Sequence, residues 1–314
     1  MSTVSSLSQV SNILYYLDQQ STSLAKLTDE ASSGNQILVP SDNPSGTVSV
    51  IEGTARGTQL SSYLSNITSA TNTLNSSVSN LSSLAEVLQQ AVSLATQGAN
   101  TTNDATSYTA LAQQASGLIN QALTLANAQF NGQYLYSGTA TNTQPFTVGT
   151  TNAQGQPETV TYNGSNQPGQ VVVNTSQTVN TTYSGATVFQ SGGGNVFTAL
   201  TGLRDLLQNT TNLPANQQQQ ALSQQIGVIT NSLDAVQNSE GEQAADLQSL
   251  TALQGQVTSL QTATKQQVSS VQSADLPTVL ENLQAEENAF QVTLAAAGRI
   301  FDQNLLNFLP PQTL

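Results

Sequence analysis

The longest regular pattern in the chain is a seam of apolar or small residues at alternating four- and three-residue steps: Leu60, Leu64, Ile67, Thr71, Leu74, Val78, Leu81, Ala85, Leu88, Val92 and Ala95. Thr71 is its one polar position. A straight α-helix repeats every 3.6 residues, so a 3.5 repeat kept this long predicts slight supercoiling around a partner helix. At 1.5 Å per residue the stretch spans roughly 50 Å and forms a rod. Such a helix is stabilised by burying its seam, so the rest of the chain must supply partners.

A shorter seam precedes it: Val4, Leu7, Val10, Leu14, Leu17, Leu24 and the neighbouring Leu27, with Ser21 as a gap. It predicts an N-terminal helix, either one member of a single bundle or a terminal helix that forms on assembly. Ser33-Gly34-Asn35 ends it, with Gly34 suited to the left-handed position after the last turn. Val39-Pro40-Ser41-Asp42-Asn43-Pro44-Ser45-Gly46 reads as a turn, then an Asn43 cap with Pro44 at the first helical position. No proline occurs from Ser45 to Gln144, which permits two long helices. The first ends near Gly98. The second runs from about Ala105 to Asn131, with Tyr108, Leu111, Ala115, Leu118, Ala122 and Leu125 on one stripe and Ile119, Leu123, Ala126 and Phe130 widening it. The short loop between them predicts an antiparallel hairpin.

Between residues 132 and 194 the pattern changes: ten of the 21 glycines fall here. Phe146-Thr147-Val148, Thr159-Val160-Thr161-Tyr162, Val171-Val172-Val173 and Thr187-Val188-Phe189 are strand candidates. Helical spacing returns with Val196, Leu200, Leu203 and Leu207. After Pro214 come Leu222, Ile226, Ile229, Leu233 and Val236, a polar interval at Glu240 to Gln243, then Leu247, Leu250, Leu253, Val257, Leu260 and Val271. Asp275-Leu276-Pro277 interrupts, with Asp275 as a cap. A last seam follows: Leu276, Leu280, Leu283, Glu287, Phe290, Leu294, Ala297, Phe301, Leu305, Phe308 and Leu309.

These elements nest. The expected architecture is mainly α with a β insertion: an elongated antiparallel helical bundle with paired terminal helices and a small β domain at the tip. The expected segments are an N-terminal coiled-coil helix (1–40), the first half of a helical rod (41–139), the β-rich insertion (140–195), the second half of the rod (196–272) and a C-terminal coiled-coil helix (273–314). Assembly through the terminal coil would rest on Leu7, Val10, Leu14, Leu17, Leu24, Leu283, Phe290, Leu294, Phe301, Leu305 and Phe308.

Composition narrows the chemistry. Only 7% of residues are charged, against about 25% in an ordinary soluble domain; Ser, Thr, Asn and Gln take the surface positions. The net charge is -13 and the five basic residues, Lys26, Arg56, Arg204, Lys265 and Arg299, are isolated. Nothing concentrates positive charge for nucleic acid or an anionic membrane. Cysteine and histidine are absent, which removes disulfides, thiolate sites, Cys nucleophiles and His bases. The acidic concentrations, Asp29-Glu30, Glu240 with Glu242 and Asp246, and Glu281 with Glu286-Glu287, read as solvated helix faces or caps. No enzyme, cofactor or metal site is expected. The first twelve residues lack a positive n-region and a continuous apolar run, so export by an ordinary cleaved signal peptide is not expected.

Ala31-Ser32-Ser33-Gly34 followed by Pro40-Ser41-Asp42-Asn43-Pro44 resembles the signature between the first two helices of the flagellin superfamily. Gly132-Gln133-Tyr134-Leu135-Tyr136-Ser137-Gly138-Thr139, then Gln144-Pro145-Phe146, is similar to the rod-to-β junction of its FlgL-type hook-filament junction proteins. Asn304-Leu305-Leu306-Asn307-Phe308-Leu309 resembles their closing segment. Asn43, Gln133 and Asn304 depart from that pattern in polar detail. The resemblance implies a structural adaptor of the bacterial flagellum, extracellular, exported by the flagellar type III apparatus with a chaperone. Its implied partners are its own copies, the hook-side junction protein FlgK and flagellin. A filament flagellin is an alternative. A secreted coiled-coil adhesin or needle-tip binding module is another.

Overall fold

The computed structural model of the chain describes residues 2–100, 103–190 and 194–306, with the side chains of 2–7, 9 and 302–306 outside that description. The elements run α1 (Ser2–Ser33), α2 (Pro44–Gly98), α3 (Ala105–Ala126), β1 (Gln129–Phe130), β2 (Gln133–Tyr134), β3 (Phe146–Val148), β4 (Val160–Tyr162), β5 (Gly169–Asn174), β6 (Gln177–Thr182), α4 (Gly185–Phe189), α5 (Val196–Gln208), α6 (Ala215–Gln272) and α7 (Leu276–Leu306). The fold is mainly helical, with three two-stranded antiparallel β pairs. The chain forms two compact units, Met1–Gln59 with Gln261–Leu314, and Leu60–Leu260. The long helices α2 and α6 contribute to both.

Unit 2 holds two apolar clusters. In the larger, Leu81 to Ala95 of α2 meet α3, α5, the aromatic side chains Tyr136, Phe146 and Phe189, and Leu222, Ile229 and Val236 of α6. In the smaller, Leu60, Ile67, Ala70 and Leu74 of α2 meet Val173 and Val179 of the β5–β6 hairpin and Leu250 and Val257 of α6. As numbers rise along α2 they fall along α6, so these two helices run antiparallel.

Most of the α2 seam is as expected. Leu60, Ile67, Leu74, Leu81, Ala85, Leu88 and Ala95 are buried and Leu64, Thr71, Val78 and Val92 are half-covered, while Ala70, Ser77, Leu84 and Ala91, off the seam, are buried as well. Helices and a β hairpin flank α2 on more than one side, so its covered stripe is wider than a two-line seam. In α6 a seven-residue line of Leu222, Ile229, Val236, Gln243, Leu250, Val257 and Thr264 is buried throughout. It runs straight through the polar interval that the sequence pattern reads as a break.

Two local expectations change. The α3 helix stops at Ala126 rather than near Asn131, because the Asn127 side chain turns to the backbone of Phe146: Asn127 Nδ2 donates to the Phe146 carbonyl at 2.9 Å and the Phe146 N–H donates to Asn127 Oδ1 at 3.0 Å. Phe130 therefore lies in β1, in a hairpin closed by Asn131 (φ 50°) and Gly132 (φ 79°), the pair of positive φ values that a two-residue Asn-Gly turn provides. Thr187-Val188-Phe189 is helical, within α4, and buries Val188 and Phe189 in the larger cluster; a three-residue apolar run does not distinguish strand from helix. The β5–β6 hairpin is anchored on the helical bundle. Val173 and Val179 pack against the helices, and Asn66 Nδ2 of α2 donates to the Val172 carbonyl at 2.9 Å.

Candidate functional site

In unit 1, α1 and α7 pack antiparallel, joined at one end by the Asn35–Ser273 bridge and by the Gln36 N–H donating to the Gln272 carbonyl at 2.8 Å. Gly34, with φ 68°, closes α1 by donating to the Glu30 carbonyl at 2.9 Å. The covered face of α1 is Val10, Ile13, Leu17, Gln20, Leu24, Leu27 and Ala31; that of α7 is Val279, Leu283, Glu286, Phe290, Thr293, Ala297 and Ile300. Both follow the 3-4 spacing of a two-helix seam.

The terminal-coil residues therefore divide. Val10, Leu17, Leu24, Leu283 and Phe290 face the α1–α7 seam. Leu14, Leu294 and Phe301 do not: they are 52%, 48% and 39% exposed. Leu280, seven and fourteen positions before Glu287 and Leu294, continues this outer line on α7 and is exposed, as are Leu276 and Val292. On α1 the exposed side includes Tyr15 and Tyr16, whose rings meet edge to face at 6.1 Å, and on the first turns of α2 it includes Val48 and Ile51. Sequence spacing missed these last four because they are off the heptad lines. The side chains of Leu7 and Leu305, and Phe308 and Leu309 entirely, lie outside the described residues.

The turn between α1 and α2 is built on Asp42. Its Oδ2 accepts from the N–H groups of Leu38 and Val39, each at 3.0 Å, and its Oδ1 accepts from Lys26 Nζ at 2.8 Å. The Lys26 hydrogen bond, then the two backbone donors, hold the Asp42 carboxyl down to about 2. The bond to Asp42 likewise raises Lys26 above its ordinary value. Asn43 caps α2, its Oδ1 accepting from the Gly46 N–H at 2.9 Å, with Pro44 as the first helical residue. Ser33, Gly34, Pro40, Ser41, Asp42 and Pro44 thus make a helix-turn-helix joint.

The second motif is a clasp within unit 2. Leu135, Ser137 and Gly138 are buried and Tyr134 is half-buried in β2. Gly138 has φ 60°, and a Cβ there would stand 2.3 Å from the Ser165 carbonyl oxygen and 2.5 Å from that of Gln167, so only glycine fits. Its N–H donates to the Tyr183 carbonyl and its own carbonyl accepts from Thr182 Oγ1. The Ser137 carbonyl accepts from the Ser165 N–H at 2.9 Å, the Pro145 carbonyl from the Asn163 N–H at 2.7 Å. These bonds tie the exit from α3 to β4, β6 and their flanking loops, so the motif is architectural.

Unit 2 has an open cleft of about 810 Å³ lined by Asn103, Tyr108, Gln156, Glu158, Asp205 and Gln208. Its Asp205 is held by the fully buried Arg204, at 2.6 Å, and Arg204 also donates to the Pro157 carbonyl. That pairing fixes the loop before β4 to α5. Among the described residues no three His, Cys, Asp or Glu side chains form a metal-holding group, and no helix is long and apolar enough to cross a membrane.

Residues 4–141 match the family described as the bacterial flagellin N-terminal helical region. No match was found among curated proteins. Several solved structures share the fold. A putative flagellar hook-associated protein from Vibrio parahaemolyticus aligns over 74% of this chain and 100% of its own, with 19% identity and a TM-score of 0.64. Flagellar hook-associated protein 3 from Legionella pneumophila aligns over 71% and 99%, with 16% identity and a TM-score of 0.61. FlgL from Bacillus cereus aligns over 70% and 99%, with 18% identity and a TM-score of 0.54. Residues 4–141 are thus similar to the flagellin N-terminal helical region, and the chain shares the fold of these flagellar hook-associated proteins.

Proposed function

We propose that this protein is a structural subunit of the bacterial flagellum, an adaptor at the hook-filament junction that joins its neighbours through α1 and α7. One observation carries the reading. Of fifteen large apolar side chains exposed among the described residues, eleven lie in unit 1, which holds 113 of the 314 residues. Single exposed apolar residues are ordinary, whereas a concentration on paired helices marks an interaction face.

In this reading residues 1–40 and 273–314 act as a paired terminal coil. Copies of the chain form one layer, between a FlgK-type protein on the hook side and flagellin on the other. Terminal helices with many uncovered apolar positions gain stability when neighbours cover them, which couples their ordering to assembly. Export through the flagellar type III apparatus, with a chaperone covering the same helices, would deliver the chain outside the cell without a cleaved signal.

The match to the flagellin N-terminal region favours a second reading, a filament subunit. The two separate in a flagellated strain lacking its own junction protein, complemented with a fluorescently labelled copy of this chain. The adaptor reading expects one narrow band of label at the hook-filament boundary and restored filaments. Label along the whole filament would establish the flagellin reading, and unlabelled, filament-free hooks would overturn both.

A further inference from the structure

Between the two apolar clusters of unit 2 lies an interval with a different chemistry. On α2 the smaller cluster ends at Leu74 and the larger begins at Leu81; on α6 the corresponding limits are Leu250 and Val236. Midway on α2 is Ser77, buried to 2% exposure, and midway on α6 is Gln243, which is fully buried. The Gln243 side chain has no protein hydrogen-bond partner for either its Oε1 or its Nε2. The Tyr136 hydroxyl enters the same interval, 2.9 Å from Asn80 Oδ1 and 3.1 Å from the Ser77 carbonyl, and accepts from Ser77 Oγ at 3.4 Å. Tyr183, packed against both clusters, donates to Asp246 Oδ2 one turn from Gln243. Burial and the charge of Glu240 push the Tyr136 hydroxyl up, so it stays protonated and available as a donor.

We propose that this polar layer, centred on Gln243, is a boundary built into unit 2: the smaller cluster, with α2 residues 60–74, the β5–β6 hairpin and α6 residues 247–257, opens as a cooperative unit of its own while the larger cluster stays closed. The physical reason is twofold. A buried amide with no partner disfavours the closed state at that level, and it stands where α6 would otherwise continue the buried apolar line from Val236 to Leu250, leaving Tyr183 as the side chain packed against both clusters among the described residues. The sides are also unequal, eight buried apolar residues against twenty-nine among the described residues. Regions with few buried apolar contacts open first. A polar residue at a helix-pairing position also fixes register at a cost in stability, which accounts for an amide where leucine would pack better.

Native-state hydrogen exchange read by mass spectrometry tests this on the full-length purified chain. Peptides covering 60–74, 171–179 and 247–257 are expected to exchange together, through an opening that exposes less surface and lies at lower free energy than the opening of 81–95, 111–126 and 222–236. In Gln243→Met, which keeps the length and removes the amide, the first group is expected to slow toward the second. Equal protection of both groups in the unaltered chain would overturn the proposal, and needs no variant to fold. So would a Gln243→Met chain that folds and leaves the gap unchanged. Because the readout is exchange in the isolated chain, the result is independent of whether the flagellar reading holds.

Discussion

Leu14 of α1 and Leu294 of α7 stand level on the paired helices, each twenty-one positions from the Asn35–Ser273 bridge, and each is about half exposed. They sit beside a seam that is already closed by Leu17 and Phe290. The two sets of residues should therefore respond differently. Leu14→Asp and Leu294→Asp are expected to leave the unfolding free energy within about 0.5 kcal/mol, as for surface changes generally, while removing assembly. Leu17→Asp puts an unpaired charge into the seam and should cost about 1–3 kcal/mol. Denaturant unfolding of each variant, paired with its incorporation into flagella, checks this. Full incorporation of Leu294→Asp would show that the outer line is not an interface.

Gly53 is a second test, of the α2–α6 approach within unit 1. A Cβ on Gly53 would fall 2.4 Å from Val268 Cγ2. Exchanging a mid-helix glycine for alanine ordinarily stabilises by roughly 0.5–1 kcal/mol. Here the obstacle is a β-branched side chain held to one rotamer in a helix, and overpacking costs about 1–3 kcal/mol. The second effect wins, so Gly53→Ala is expected to lower the melting temperature. The double change Gly53→Ala with Val268→Ala should recover part of the loss, and an additive result would show that the two positions do not touch.

The turn at Asp42 makes unit 1 sensitive to acid. The Asp42 carboxyl is lowered from 3.8 to about 2 in the folded chain. A group lowered on folding stabilises the fold above its unfolded value, and that contribution fades as pH falls from about 4 through the folded value near 2. Asp42→Asn should flatten the acid limb of the stability profile in that window and speed amide exchange at Leu38 and Val39. An acid limb unchanged by Asp42→Asn would remove Asp42 as its source. Lys26 carries the opposite sign: raised on folding, its contribution is full below its ordinary value of 10.5 and is lost as pH climbs through the higher folded one.

Much of this fold is legible in periodicity because long helices repeat their spacing many times. The ends of α1 and α2 follow from Gly34, Pro44 and Gly98, each a local signal with a mechanism. Which flank of α2 is covered is not local: Ala70 is buried in the cluster that holds Val173 and Val179 of the β5–β6 hairpin, and Ser77 beside the Tyr136 hydroxyl, both set by residues far along the chain. β6, QTVNTT, is not legible in the sequence because Val179 is its one apolar residue and the other buried position is the polar Thr182. The candidate surface was legible in kind but not in detail. A seam on a terminal helix announces that something covers it, yet the 3-4 spacing cannot say whether the cover is α7 or another copy of the chain, so Leu14 and Leu17 look alike until α7 is placed.

Phe146 joins the sequence motif to the core, and its removal should be felt throughout unit 2. Its ring is fully buried, with centroids 5.0 Å from Phe189, 5.2 Å from Phe197 and 5.2 Å from Tyr162. Phe146→Ala is expected to cost about 3–5 kcal/mol, the range for deleting a buried aromatic side chain. Phe146→Leu keeps most of the volume and should cost less, about 1.5 kcal/mol or below. Asn127→Ala keeps the ring but strips the partner from the Phe146 N–H and carbonyl, and should cost about 1–3 kcal/mol. Urea unfolding of the three variants orders them: if Asn127→Ala proved costlier than Phe146→Ala, the backbone clasp rather than the aromatic cluster would be what holds the exit of α3 to the β segments.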